Sequence, residues 1–121
     1  MANVLLIEDD FFLRAILKHA LEEMGHHVVE AANASNAEAL HREHSFNVVL
    51  TDLIMPECDG FELLTRFRRL FPQVRIVAMS AGGCMGAPEY LRIARQLGAD
   101  DTLKKPVSER DLEIVLNRVL A

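Results

Sequence analysis

The chain predicts an α/β domain: five parallel strands in one open sheet, doubly wound by five helices on its two faces. Three observations lead there. Short apolar runs rich in Val, Ile and Leu alternate with longer stretches of helical period, the pattern of a parallel sheet covered by helices. The first run, residues 4–7, is apolar at every position, as a strand buried on both faces should be. With 121 residues and no linker, repeat or low-complexity tract, one domain of roughly 100–150 residues is expected.

Each element follows in order. Residues 4–7 form the first strand and stop at Glu8, Asp9 and Asp10; Leu13, Ile16, Leu17, Ala20, Leu21 and Met24 then keep the spacing of an amphipathic helix that Gly25 can end in a left-handed cap. A weaker strand at 27–31 leads to Ser35 and Glu38, spaced as a capping box for the second helix. Residues 47–51 read as a third strand buried like the first, again ending in an acid, Asp52. After the loop 53–60, Leu63, Leu64, Phe67, Leu70 and Phe71 mark the third helix, and residues 74–79 the fourth strand, which ends at Ser80. Residues 81–87 are a flexible loop by composition, and Pro88 suits the first residue of a fourth helix running to Gly98. A short fifth strand, 101–103, reaches Lys104, Lys105 and Pro106. Ser108 then N-caps a last helix whose inward face is Leu112, Val115, Leu116 and Val119.

Composition narrows the function. Half of the residues are hydrophobic, which excludes a disordered chain. A net charge of −5, from 13 Lys+Arg against 18 Asp+Glu, argues against a general nucleic-acid binder. Arg66, Arg68 and Arg69 read as a solvated helix face. The apolar start is too short for a signal peptide or a membrane span, so a cytoplasmic protein is expected. Cys58 and Cys84 are too few and too distant for a zinc or disulfide scaffold, and read as ordinary thiols. The five histidines, His19, His26, His27, His41 and His44, show no ligand-like pairing with the acids and read as surface residues.

Right-handed crossovers send every strand's carboxyl end to one edge, where ligands of such sheets sit. Glu8, Asp9, Asp10, Asp52, Ser80 and Lys105 therefore converge there. Clustered carboxylates need a compensating cation, and an all-oxygen set suits magnesium better than zinc. A lysine and a hydroxyl beside them make a site able to stabilise a phosphoryl group on a central Asp, itself a known nucleophile.

These residues carry a resemblance: Leu6-Ile7-Glu8-Asp9-Asp10, Val48-Val49-Leu50-Thr51-Asp52-Leu53-Ile54-Met55-Pro56, Met79-Ser80-Ala81, Gly98-Ala99-Asp100-Asp101 and Lys105-Pro106. Together, in order and across nearly the whole chain, they resemble the receiver domain of two-component response regulators, of the single-domain chemotaxis-regulator kind. The resemblance implies a flavodoxin-like strand order, 2-1-3-4-5, and one domain over 1–121 with no output domain, the early Met1 agreeing with a native start. It implies that Asp52 accepts a phosphoryl group from a histidine kinase or histidine phosphotransfer protein. Asp9 would bind Mg²⁺ directly, Glu8 through a water, and Asp52 with the Ile54 backbone carbonyl would complete the set. Lys105 would pair with the phosphate after a cis peptide to Pro106, and the Ser80 hydroxyl would bond a phosphoryl oxygen. Asp10 falls one place beyond the acidic pair and suits a helix N-terminus. The output face is expected around the fourth helix, fifth strand and fifth helix, binding an unidentified downstream protein. A monomer or weak homodimer is expected, with neither nucleic acid nor membrane as partner.

Two positions depart from the family pattern. Thr102 stands where an aromatic usually takes part in the switch; the output change is therefore expected through the loop after Ser80, with Gly82, Gly83 and Gly86, for which a tolerated insertion is the alternative. Ile54, apolar and bulky, implies slow hydrolysis of the phosphorylated form. The alternatives are a receiver-fold interaction module that is never phosphorylated, a receiver excised from a hybrid kinase or longer regulator, and an aspartyl-nucleophile phosphatase. The last would carry a second Asp where Ile54 stands.

Overall fold

The computed structural model of the chain describes residues 1–54, 60–81 and 87–121. Strands β1 (Asn3–Ile7), β2 (His27–Ala31), β3 (Val48–Asp52), β4 (Arg75–Ser80) and β5 (Asp101–Lys104) form one parallel sheet in the order β2-β1-β3-β4-β5. Helices α1 (Phe11–Glu23), α2 (Ala37–His44), α3 (Gly60–Leu70) and α4 (Ala87–Leu97) connect them, and α5 (Glu109–Leu120) follows β5. This is the expected doubly wound, flavodoxin-like arrangement.

Alternation along the strands divides the core in two. Val4, Leu6, Leu50, Val77, Met79 and Leu103 pack against α1 and α5, while Leu5, Ile7, Val49, Ile76 and Ala78 meet α2, α3 and α4. Central strands β1 and β3 are therefore apolar on both faces, and the edge strand β2 is half wet.

Helix ends follow local chemistry. Asp10 is the N-cap of α1, its Oδ1 accepting from the Leu13 N–H at 3.0 Å; Ser108 Oγ does the same for the Asp111 N–H of α5. Gly25 follows α1 at φ +92°, the left-handed conformation expected of it.

Four expectations are corrected. Ser35 and Glu38 form no capping box: the Ser35 hydroxyl donates to Asn33 Oδ1, α2 starts after Asn36, and Glu38 turns to Arg42 and Arg66 at 3.2 and 3.0 Å. Two charged donors hold a carboxylate more strongly than one backbone amide. Ile16 is 64% exposed, because the α1 face that meets the sheet is centred on Leu17, Ala20 and Leu21. Arg68 is not part of a solvated face. It donates to the carbonyls of Gly98, Pro72 and Val74 and to Asp100, which also accepts from the Ile76 N–H. His26 and His41 are half-buried structural groups rather than surface residues, their Nδ1 atoms accepting from the N–H of Ala2 and Phe46, each at 3.2 Å. Burial lowers the pKa of both imidazoles. Cys58 and Cys84, and the glycines of residues 82–86, lie outside the described residues.

Candidate functional site

The chain reverses direction across the sheet between β1 and β3, and at that point a crevice opens beyond their carboxyl ends. Glu8 follows β1 directly, Asp52 is the last residue of β3, Ser80 the last of β4, and Lys105 follows β5. Parallel register does the gathering: Ile7 sits beside Thr51, Asp52 beside Met79, and Ser80 beside Lys104. The Lys105 N–H donates to the Ser80 carbonyl at 3.0 Å, continuing the ladder past β5. The Lys105–Pro106 peptide is cis, as expected.

Within this edge the carboxylates crowd together. One oxygen from each of Glu8, Asp9 and Asp52 lies within 4.8 Å of the others. Glu8 is fully buried, Asp52 5% exposed and Asp9 open to solvent. Lys105 Nζ bridges Glu8 Oε1 at 2.6 Å and Asp52 Oδ2 at 2.9 Å. Asp52 Oδ1 accepts from the Ile54 N–H at 3.3 Å, and Glu8 Oε2 from the Asp10 N–H at 3.1 Å. Glu8 Oε1 is buried and has its ion pair but no aligned hydrogen bond.

Three carboxylates face one ammonium, so the cluster holds excess negative charge. Burial raises the pKa of Glu8, the nearby Asp52 adds to this, and Lys105 opposes it. Burial also pulls on Lys105, downward, but its pairing with the Glu8 and Asp52 carboxylates outweighs that and holds its pKa above the ordinary lysine value. An all-oxygen donor set with one open member and one buried oxygen lacking an aligned hydrogen bond fits a hard divalent cation. Every sequence-predicted site residue reaches this edge. Ser80 is buried there, and the Ile54 side chain is partly exposed.

Comparison with known proteins agrees with this geometry. The family model described as "Response regulator receiver domain" matches residues 4–117. The chain belongs to the response regulator receiver family. This receiver is 36% identical to the chemotaxis protein CheY of Bacillus subtilis over 115 residues, 93% of each chain. It is 32% identical to the response regulator receiver protein CpdR of Brucella abortus, over 99% of this chain and 98% of that one. It spans about a quarter of the length of the DNA-binding transcriptional regulator NtrC of Azospirillum brasilense, matching 24% of it at 31% identity. In structure it superposes on the chemotaxis protein CheY4 of Vibrio cholerae with a TM-score of 0.88 at 29% identity, over 98% of both chains.

Two residues bearing on this receiver's site escaped the sequence reading. Gly60, the first residue of α3, approaches the backbone after β3 so closely that a Cβ would lie 2.5 Å from Leu53 Cα and 2.6 Å from the Asp52 carbonyl oxygen. A glycine before a helix was the available signal, but its contact is tertiary. Arg14 is the other, since its partners lie on β2 and beyond β1.

Thr102 has a defined role in packing. Its Oγ1 accepts from Arg95 Nη2 at 3.0 Å, and the same guanidinium holds the nearly buried Asp101 at 2.9 Å while Arg118 holds it at 2.8 Å. Asp101 thus ties α4 and α5 to β5. No helix among the described residues is long and apolar enough to cross a membrane.

Proposed function

We propose that this receiver takes a phosphoryl group from a phosphohistidine onto Asp52 in a Mg²⁺-dependent reaction, and that the phosphorylated form binds a different partner. The observation that carries this reading is the Lys105 bridge to Glu8 and Asp52, with Asp9 completing the acidic cluster. An Asp52 oxygen attacks phosphorus in line; the P–N bond breaks, its electron pair returns to the imidazole nitrogen, and an acyl phosphate remains. Such transfer needs mainly positioning and charge neutralisation. The Ile54 N–H orients one Asp52 oxygen, leaving the other to Lys105. Lys105 is placed to follow the negative charge from carboxylate to phosphoryl oxygen, and the Ser80 hydroxyl to bond a second phosphoryl oxygen.

Glu8, Asp9, Asp52 and the Ile54 carbonyl would hold the Mg²⁺, which supplies the remaining charge neutralisation when bound. The only catalysis is self-directed: acceptance of the group, then slow hydrolysis that the apolar Ile54 does not assist. The donor is a histidine kinase or phosphotransfer protein in the cytoplasm, and the reader of the state binds the α4–β5–α5 face.

Incubation with Mg²⁺ and acetyl phosphate, followed by intact-mass measurement, tests the reading. Wild type gains one phosphoryl mass and Asp52→Ala gains none. An unmodified wild type, or equal modification of the variant, would overturn it. Turnover of a foreign phosphoester would point to a phosphatase instead.

A further inference from the structure

Glu8 is fastened at almost every polar atom. Its N–H donates to the Ala31 carbonyl of β2 at 3.1 Å, and its Oε2 takes the Asp10 N–H. The remaining backbone atom, the carbonyl oxygen, accepts from Arg14 Nη1 at 2.8 Å. Arg14 lies one turn into α1, and its guanidinium reaches back to the carboxyl edge of the sheet. Its Nε donates to Glu30 Oε1 at 3.0 Å, and Glu30 in turn pairs with Lys18 at 3.1 Å. The Arg14 side chain is only 14% exposed, and its guanidinium carbon lies 5.7 Å from the centroid of the Phe11 ring.

One planar fork therefore binds two groups whose separation the sheet sets, the peptide after β1 and a side chain on β2. That peptide joins Glu8 to Asp9. Its plane decides where the next residue, Asp9, sends its carboxylate. Asp9 is solvent-exposed, in contrast to buried Glu8 and Asp52, so little besides this backbone holds it near the cluster.

We propose that Arg14 is a positioning residue for the divalent-cation site: by holding the Glu8 carbonyl against Glu30, it sets the Glu8–Asp9 peptide and preorganises the acidic cluster for metal. This rests on the receiver reading above and names a component of the same site. Outer groups that orient metal ligands characteristically alter affinity by about 10–100-fold. A lysine keeps the charge but cannot span both partners as a fork.

The test is Mg²⁺ alone, titrated into uniformly labelled protein and followed by amide chemical shifts, for wild type, Arg14→Met and Arg14→Lys. Methionine retains the stem beside Phe11, and circular dichroism checks that the variants fold. Both variants are expected to weaken Mg²⁺ binding at least fivefold. Phosphorylation by acetyl phosphate should return to within twofold of wild type at saturating Mg²⁺, the loss lying in affinity and not in the transfer step. If Arg14→Met weakens binding less than fivefold, or Arg14→Lys restores it, the proposal is overturned. A rate deficit that persists at saturating Mg²⁺ would also overturn it. Should Arg14→Met not fold, the Arg14→Lys titration decides by the same threshold. A wild type that neither binds Mg²⁺ nor takes a phosphoryl group would defeat the receiver reading itself.

Discussion

At the residue scale, Lys105 is the group on which the acidic cluster depends. Its ammonium neutralises part of the charge of Glu8 and Asp52 at a place where neither side is well hydrated. Lys105→Met should cost about 3 kcal/mol in urea denaturation, since breaking a buried pair leaves an uncompensated charge. Mg²⁺ should recover much of that loss, because a divalent cation can meet the same carboxylates. Equal destabilisation with and without Mg²⁺ would contradict this account.

His41 supports a second residue-scale prediction. Its Nδ1 must be unprotonated to accept from the Phe46 N–H, and its ring packs against Phe46, Phe67 and Phe71. Burial first, and Arg42 second, lower its folded pKa below the unfolded value of about 6.5. The unfolded chain then binds more protons, so stability is full above that value and falls as pH drops through it toward the folded pKa. Thermal midpoints should decline between roughly pH 7.5 and 5.5, more steeply for wild type than for His41→Gln. Parallel declines would exclude His41 as the cause.

At the element scale, two junctions shape what the site can do. The start of α3 lies against the chain leaving β3, and only a residue without Cβ fits. Gly60→Ala should destabilise by about 1–3 kcal/mol and shift the amide resonances of Asp52 to Ile54. Unchanged stability would show that the contact yields at no cost. On the opposite flank, the buried Asp101 accepts from Arg95 of α4, from Arg118 of α5 and from the Thr102 N–H. Both guanidiniums are more than half exposed, so each pair alone contributes little. The carboxylate they share is another matter, since its loss leaves a backbone donor unpaired. Asp101→Ala should therefore cost about 1–3 kcal/mol and speed hydrogen exchange in the last turns of α4 and α5. No change in exchange there would show that the ion pairs do not couple the helices. Thr102, in place of the family's aromatic, is a bonded member of this group. A response passing through the α4–β5–α5 face must accommodate the Arg95 contact, whereas the glycines of the loop after Ser80, the expected route, lie outside the described residues.

At the scale of the whole molecule, metal binding and folding are linked. A cation that binds only the folded chain stabilises it by about 2.7 kcal/mol at one hundred times its dissociation constant. Wild type should show that gain in thermal unfolding with Mg²⁺, and Asp9→Asn should lose most of it; an equal gain in the variant would remove Asp9 from the site. The sheet explains why so much of the site was legible in the sequence. Apolar runs that each stop at a polar residue identify Glu8, Asp52 and Ser80, a short fifth strand leads to Lys105, and a parallel sheet leaves those strand ends only one edge to occupy. The Asp10 and Ser108 caps were legible because they act within a turn of their own helix. Ser35 was misread for the converse reason: Glu38 finds a partner in Arg66, 28 residues away. Arg68, His41 and Arg14 were likewise invisible, because Arg68 and Arg14 bond carbonyls or side chains of other elements and the His41 ring packs on Phe67 and Phe71, from α3 and the residue after it. By itself, then, the sequence determined the strand and helix order, the two-faced core and the residues at the strand ends, since these depend on periodicity and on the hand of the crossovers. Only the tertiary structure decided which carboxylates share Lys105, how close Gly60 must come, and that Arg14 holds the peptide between Glu8 and Asp9, because such contacts arise from distances across the sheet that no local pattern encodes.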